Sequence, residues 1–170
     1  QEREDSPDFH IFTREEVEKA DWSEETRNLF YNFSYQVYIN QSIPRSIIHL
    51  GTQVGEDKLS GPITMEEVEK DYAHFQNHCC DPNTWFAEGD ADAIIARRDI
   101  QPGEEITYDY ATSETEARFG FEKCCCNAGL LCRGKVTSCD WQLPELQERY
   151  GRHFAPFIVE LILQQRSKKE

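Results

Sequence analysis

Cysteines carry the densest chemistry in this chain. Five of its seven cysteines fall between Cys124 and Cys139. An odd total excludes complete internal disulfide pairing. Clustering within a short segment rich in Gly and Asn favours metal ligation, because four thiolates close a tetrahedral shell around Zn²⁺. Cys124-x-Cys126 and Cys132 supply three such ligands. Two other stretches concentrate polar and aromatic groups. Asn77-His78-Cys79-Cys80-Asp81-Pro82-Asn83 is a polar knot in which Asn and His offer donors and acceptors and Pro82 forces the exit. Ordinary turn chemistry accounts for it equally well in isolation. Gly103-Glu104-Glu105-Ile106-Thr107-Tyr108-Asp109-Tyr110 is a turn running into an alternating strand that puts Tyr108 and Tyr110 on one face. The plain alternative for that pair is strand packing.

These groups need elements to hold them. Thr13-Arg14-Glu15-Glu16 has the form of a capping box and opens a short helix with Val17, Ala20 and Trp22 on one side. Leu29, Phe30, Phe33 and Val37 continue an apolar stripe that fits either helix core or a passage into strand. Residues 40–62 read as loop with a brief strand near 47–50. Thr64-Met65-Glu66-Glu67 is a second capping box, opening a helix through about Phe75. Strands are expected at 84–88, 93–98 and 105–110, separated by turns at Gly89-Asp90 and Pro102-Gly103. Residues 144–166 return to helix, with Leu146, Tyr150, Phe154, Phe157, Ile158, Leu161 and Ile162 on the apolar face and Pro156 starting or kinking its second part.

With the three chemical segments in this order, the chain resembles the SET-domain family of protein-lysine methyltransferases. Residues 77–83 are similar to the family's NHxCxPN signature and residues 103–110 to its GEExTxDY signature, approached by Arg98-Asp99-Ile100. Cys124-Cys125-Cys126 followed by Cys132-Arg133-Gly134 resembles the post-SET zinc segment. Residues 140–150 resemble the extension of a small-SET subgroup. The resemblance covers 70–150 firmly and implies an α+β fold, a SET-type β-clip of short irregular sheets with a threaded, pseudoknot-like turn, a post-SET zinc segment and C-terminal helices. It divides the chain into a disordered or truncated start (1–12), a partial SET domain (13–112), the zinc segment (113–139) and a helical extension (140–170).

The resemblance also assigns roles. Asn77 and His78 match positions that hold S-adenosylmethionine. Tyr110 matches the catalytic tyrosine, which orients the methyl donor, and Tyr108 matches the position that tunes the number of methyls added. Cys80 would join Cys124, Cys126 and Cys132 as the fourth zinc ligand. The family usually has four residues between the last two of these cysteines, whereas five stand between Cys126 and Cys132, so Cys125 is a rival ligand. Leu131 and Trp141 are candidates to pack on the adenine, with core packing as the equal alternative.

The formal net charge of -14 argues against direct nucleic-acid binding and suits a lysine-bearing protein or basic peptide, histone or non-histone, drawn in by the field. No stretch approaches the roughly 20 apolar residues of a membrane span. Seven cysteines without a secretion signal fit a reducing compartment, nucleus or cytoplasm, and the chain is expected to be a monomer. Gln1 and a sole, internal Met65 read as a start cut from a larger protein. The family's early glycine-rich GxG segment is not seen before residue 50. Two readings follow. One is a lysine methyltransferase, truncated here. The other is a catalytically inactive, zinc-stapled module that binds basic peptides or partner proteins. Joint retention of Asn77, His78, Tyr108 and Tyr110 favours the first.

Overall fold

The computed structural model describes residues 9–33, 35–37, 48–52, 75–91, 93–115 and 120–168. It divides into two units, Gln1–Phe75 and Gln76–Glu170. In the first, β1 (Phe9–Thr13) leads directly into α1 (Arg14–Lys19). The switch from strand to helix happens at Thr13, whose hydroxyl accepts from Glu16 N at 3.2 Å while the Glu16 carboxylate accepts from Thr13 N at 2.8 Å. That reciprocal pair satisfies two orphan donors at the helix start. At the other end, Arg27 from α2 (Glu24–Phe33) donates to the carbonyls of Val17 and Ala20 at 3.2 and 3.1 Å. β2 (Tyr35–Val37) and β3 (Ile48–Thr52) complete an antiparallel sheet of order β1-β3-β2, with Thr13 opposite Ile48 and Tyr35 opposite Leu50. Phe12, Val17 and Phe30 are buried together, and Trp22 and Tyr31 pack against them. Phe12 meets Trp22 and Phe30 edge-on at ring separations of 5.5 and 5.4 Å.

The stretch left open between helix and strand is both, helix to Phe33 and strand from Tyr35. Residues 9–12, expected to belong to a disordered or truncated start, pair with β3. The expected second capping box and most of its helix lie outside the described residues.

Among its described residues, the second unit carries the chemical segments on three short strand pairings and two α-helices. β4 (Asn77–His78) runs parallel to β7 (Thr107–Tyr108). Between them in sequence stands an antiparallel hairpin of β5 (Thr84–Phe86) and β6 (Ile94–Ala96), turning through Gly89 at a φ of 75°. The buried Asn83 amide stitches these pieces together, since it donates to Glu105 O at 2.8 Å and accepts from Thr107 N at 2.9 Å. β8 (Gly120–Phe121) pairs antiparallel with β9 (Val136–Thr137), bracketing the cysteine loop. A Cβ on Gly120 would come within 2.7 Å of Val136 O, so this pairing needs glycine there.

The third expected strand, 105–110, is shorter than its alternation suggests. It stops at Tyr108, because Asp109 caps a 3₁₀ turn over Tyr110–Thr112 with its carboxylate accepting from Ala111 N at 3.0 Å. The C-terminal pattern resolves into α3 (Pro144–Tyr150) and α4 (Pro156–Ser167), each opened by proline. Gly151, at a φ of 57°, ends the first. Leu146, Tyr150, Phe154, Ile158 and Ile162 form the core with Ala111, and Trp85, Trp141 and Phe157 pack on it half-buried. Among the described residues no helix is long and apolar enough to cross a membrane.

Because Phe154 is 0% exposed, Phe154→Ala should lower the unfolding free energy by about 3–5 kcal/mol. The urea midpoint at unchanged slope reads this. A loss below about 1 kcal/mol would show that the helical core does not hold this unit.

Candidate metal centre and active site

The parallel β4–β7 pairing places His78 opposite Tyr108, with Tyr110 just beyond the strand end. The rings of Tyr108 and Tyr110 lie 4.9 Å apart, and Phe86 stands edge-on to Tyr108 at 6.0 Å. The Tyr110 hydroxyl donates to Gln76 O at 3.1 Å. Burial, followed by the nearby Glu114 and Glu105 carboxylates, raises the Tyr110 pKa above its ordinary 10.0, so the phenol keeps its proton. Asn77 is exposed and donates to the Glu105 carboxylate at 2.7 Å.

Sulfur gathers on the other side of His78. The sulfurs of Cys80, Cys124 and Cys126 and a ring nitrogen of His78 all lie within 4.8 Å of one another. Cys80 Sγ and Cys124 Sγ are 3.9 Å apart. Two thiolates at about 2.3 Å from a tetrahedral Zn²⁺ stand roughly 3.8 Å apart, so the spacing fits that ion. Backbone N–H groups already point at the sulfurs, Cys80 N to Cys126 Sγ at 3.5 Å and Arg133 N to Cys80 Sγ at 3.4 Å. Burial works against ionisation at Cys126, yet hydrogen bonds from the Cys80 and Ala128 backbone and the Cys124 and Cys132 thiols bring its pKa down to about 6. Burial pushes the Cys80 thiol up.

The fourth ligand has two contenders. Cys132 Sγ lies 4.0 Å from Cys124 O but outside the group of four mutually close donors. His78 Nε2 is 3.2 Å from Cys80 Sγ. However, His78 Nδ1 accepts from Tyr110 N at 3.2 Å, which leaves the ring proton on Nε2. A protonated nitrogen donates to sulfur and does not ligate, so this pattern makes His78 a donor beside the sulfurs. Burial also lowers the His78 pKa, keeping the ring neutral. Cys125 is exposed and outside the donor cluster, and Cys139 is exposed. Leu131 is 47% exposed, while Trp141 packs half-buried against the helical core.

Asp109 and Arg133 stand within the sequence signatures, but their pairing had no signal there. The Asp109 side chain is 0% exposed and accepts from Arg133 Nη1 and Nη2 at 2.6 and 2.7 Å and from the Tyr150 hydroxyl at 2.9 Å. Arg133 Nε also donates to Asp140 at 2.8 Å. The partners of Asp109 stand 24 and 41 residues away, so no local periodicity could reveal them. A polar cleft of about 220 Å³, lined in part by His78, Glu104, Glu105 and Cys126, opens beside the cluster. It is smaller than the roughly 300–1,000 Å³ that enclose a whole small-molecule ligand.

The SET domain family model matches residues 5–111. Over 61 residues the chain is 44% identical to "Histone-lysine N-methyltransferase TRX1" of Oryza sativa subsp. japonica, covering 31% of this chain and 6% of that protein. Over 43 residues it is 56% identical to "Histone-lysine N-methyltransferase set1" of Dictyostelium discoideum, covering 22% of this chain and 3% of that protein. The chain therefore spans only a small part of the curated relatives it matches. No solved structure matches it.

Metal analysis should find about one Zn²⁺ per chain, and Cys80→Ser should release it; retention of the metal would remove Cys80 from the ligand set. Burial, then the Asp109 charge, raises the Tyr150 pKa well above its ordinary 10.0. The folded value exceeds the unfolded one, so this stabilisation is complete below about pH 10 and is lost as the pH rises through the folded pKa. The urea midpoint should fall between about pH 9 and 11, and by less in Tyr150→Phe. Parallel curves for the two proteins would contradict this.

Proposed function

We propose that this chain, which belongs to the SET-domain family, is a protein-lysine N-methyltransferase that moves a methyl from S-adenosylmethionine to a lysine of a basic protein or peptide. The supporting observation is the joining of the tyrosine pair to the cysteine cluster through His78, which touches Tyr110 N on one side and Cys80 Sγ on the other. The names of the matched relatives, both histone-lysine methyltransferases, point the same way.

When bound, S-adenosylmethionine supplies an electrophilic methyl on a sulfonium. What the protein must do is align and desolvate. Tyr110, kept as a neutral phenol, offers a fixed hydroxyl beside the Gln76 carbonyl. Tyr108 and Phe86 supply aromatic walls in which a lysine sheds water and loses its proton more readily. In this reading Tyr108 also limits how many methyls are added. Asn77 and His78 would hold the donor, with Leu131 and Trp141 nearer the adenine. Zn²⁺ on Cys80, Cys124, Cys126 and Cys132 would close the cysteine segment across the chain. The net charge of -14 favours encounter with a basic partner.

The test is transfer of labelled methyl from S-adenosylmethionine to a lysine-rich peptide. Tyr110→Phe should reduce turnover about 10²-fold while zinc stays bound, the size typical for removing one aligned donor. The wild-type rate should climb with pH as the amine, near 10.4 when free, deprotonates. Tyr110 ionisation should not bend the profile at or below pH 10.0. Zinc-loaded protein that binds the peptide but transfers no methyl would favour a binding module instead.

A further inference from the structure

The cysteine segment and the tyrosine strand are far apart in sequence, and one side chain joins them. Arg133 directly follows Cys132, and its own N–H points at Cys80 Sγ at 3.4 Å, so its backbone is registered by the cluster. Its guanidinium then reaches out of the segment. Two nitrogens grip both oxygens of Asp109 at 2.6 and 2.7 Å, and the third holds Asp140 at 2.8 Å. This is the parallel-fork geometry that fixes a carboxylate in orientation as well as place. We propose that Arg133 is a positioning residue for Tyr110: by docking the cysteine segment on Asp109 it fixes the turn from which Tyr110 projects.

Asp109 links the fork to Tyr110. Its carboxylate is 0% exposed, and besides the guanidinium it accepts from the Tyr150 hydroxyl at 2.9 Å and from Ala111 N at 3.0 Å. Four donors leave it no alternative rotamer. Asp109 immediately precedes Tyr110 and caps the 3₁₀ turn that Tyr110 begins, so the direction of its carboxylate sets the direction of that turn. Tyr110 is registered downstream of this by its N–H to His78 and its hydroxyl to Gln76 O. Were the fork to loosen, the buried charge would pull toward new donors and the turn would move with it. A misplacement on the order of 1 Å is enough to reduce a rate about 10²-fold. Lysine cannot replace the arginine, because an ammonium is a point charge without the planar fork. The catalytic consequence rests on the methyltransferase reading, whereas the docking itself does not.

Two variants test it. Arg133→Lys keeps the charge and loses the fork. Asp109→Asn combined with Arg133→Met removes both halves of the buried pair, a replacement that such sites often tolerate in stability. Each is measured for bound zinc, for deuterium exchange at the Tyr110 and Ala111 amides, and for methyl transfer to a lysine-rich peptide. The expected result is zinc retained, faster exchange at both amides, and kcat down about 10²-fold with the peptide KM within about threefold. A folded double variant with wild-type kcat and protected amides would overturn the proposal, leaving Arg133 a purely structural role. Loss of zinc from both variants would also overturn it, because the metal site and not the fork would then govern docking. If the wild-type protein transfers no methyl, the methyltransferase reading fails, and amide exchange still decides what Arg133 does.

Discussion

A carboxyl group with no solvent exposure must be surrounded by donors, and Asp109 meets that demand with groups from three separate parts of the chain. Arg133 comes from the cysteine segment, Tyr150 from α3 and Ala111 N from its own turn. Removing a charge from water is expensive, and the attraction that offsets this is effective only with good geometry and full hydrogen bonding. The site strand, the cysteine loop and the C-terminal helices therefore meet at one atom group. Ala111, beside this carboxylate, belongs to the apolar core built by Leu146, Tyr150, Phe154, Ile158 and Ile162. Tyr150 serves both sides, its ring in that core and its hydroxyl on Asp109.

The sulfur cluster adds a second tie between the same distant segments. Cys80 follows β4, while Cys124, Cys126 and Cys132 lie in the loop that β8 and β9 bracket. Closing so long a loop has an entropic cost that grows slowly with length, which a metal bound by these sulfurs would offset. Arg149 reinforces the arrangement by donating to Cys80 O at 2.8 Å, so α3 touches the turn after β4 as well as the carboxylate. His78 sits where the two ties meet. Its ring accepts from Tyr110 N, lies against Cys80 Sγ, and packs against the rings of Tyr110 and Phe121 at 5.3 and 5.5 Å.

Surface electrostatics act differently. Arg98 pairs with Glu104, whose carboxyl is held down to about 2 by that hydrogen bond and by the Gln101 N–H. The pair is exposed and screened, and it shapes the turn before β7 without anchoring the core. The chain's formal net charge is -14. It bears on encounter with partners more than on the fold.

Much of the local structure was legible because its causes are local. The Thr13–Glu16 box reads from residues three apart, and it forms as read. The Gly89 turn, the prolines that open α3 and α4, and the apolar face from Leu146 to Ile162 depend on φ preferences and helical spacing, which the sequence displays directly. The cysteine cluster and the two tyrosines were legible as chemistry because spacing within a loop or strand is a sequence property. Pairings across long separations were not. β1 finds its partner in β3 some 40 residues later, so residues 9–12 read as a loose start. The early end of β7 depends on Asp109 turning inward to cap, an outcome of the buried network and not of strand alternation. The relation of His78 to Cys80 and Tyr110 and the grip of Arg133 on Asp109 follow from which segments pack together. Residue types fixed the ligands, helices and turns available; burial of one carboxylate and convergence of the sulfurs decided how they meet, because only a folded chain takes those groups out of water.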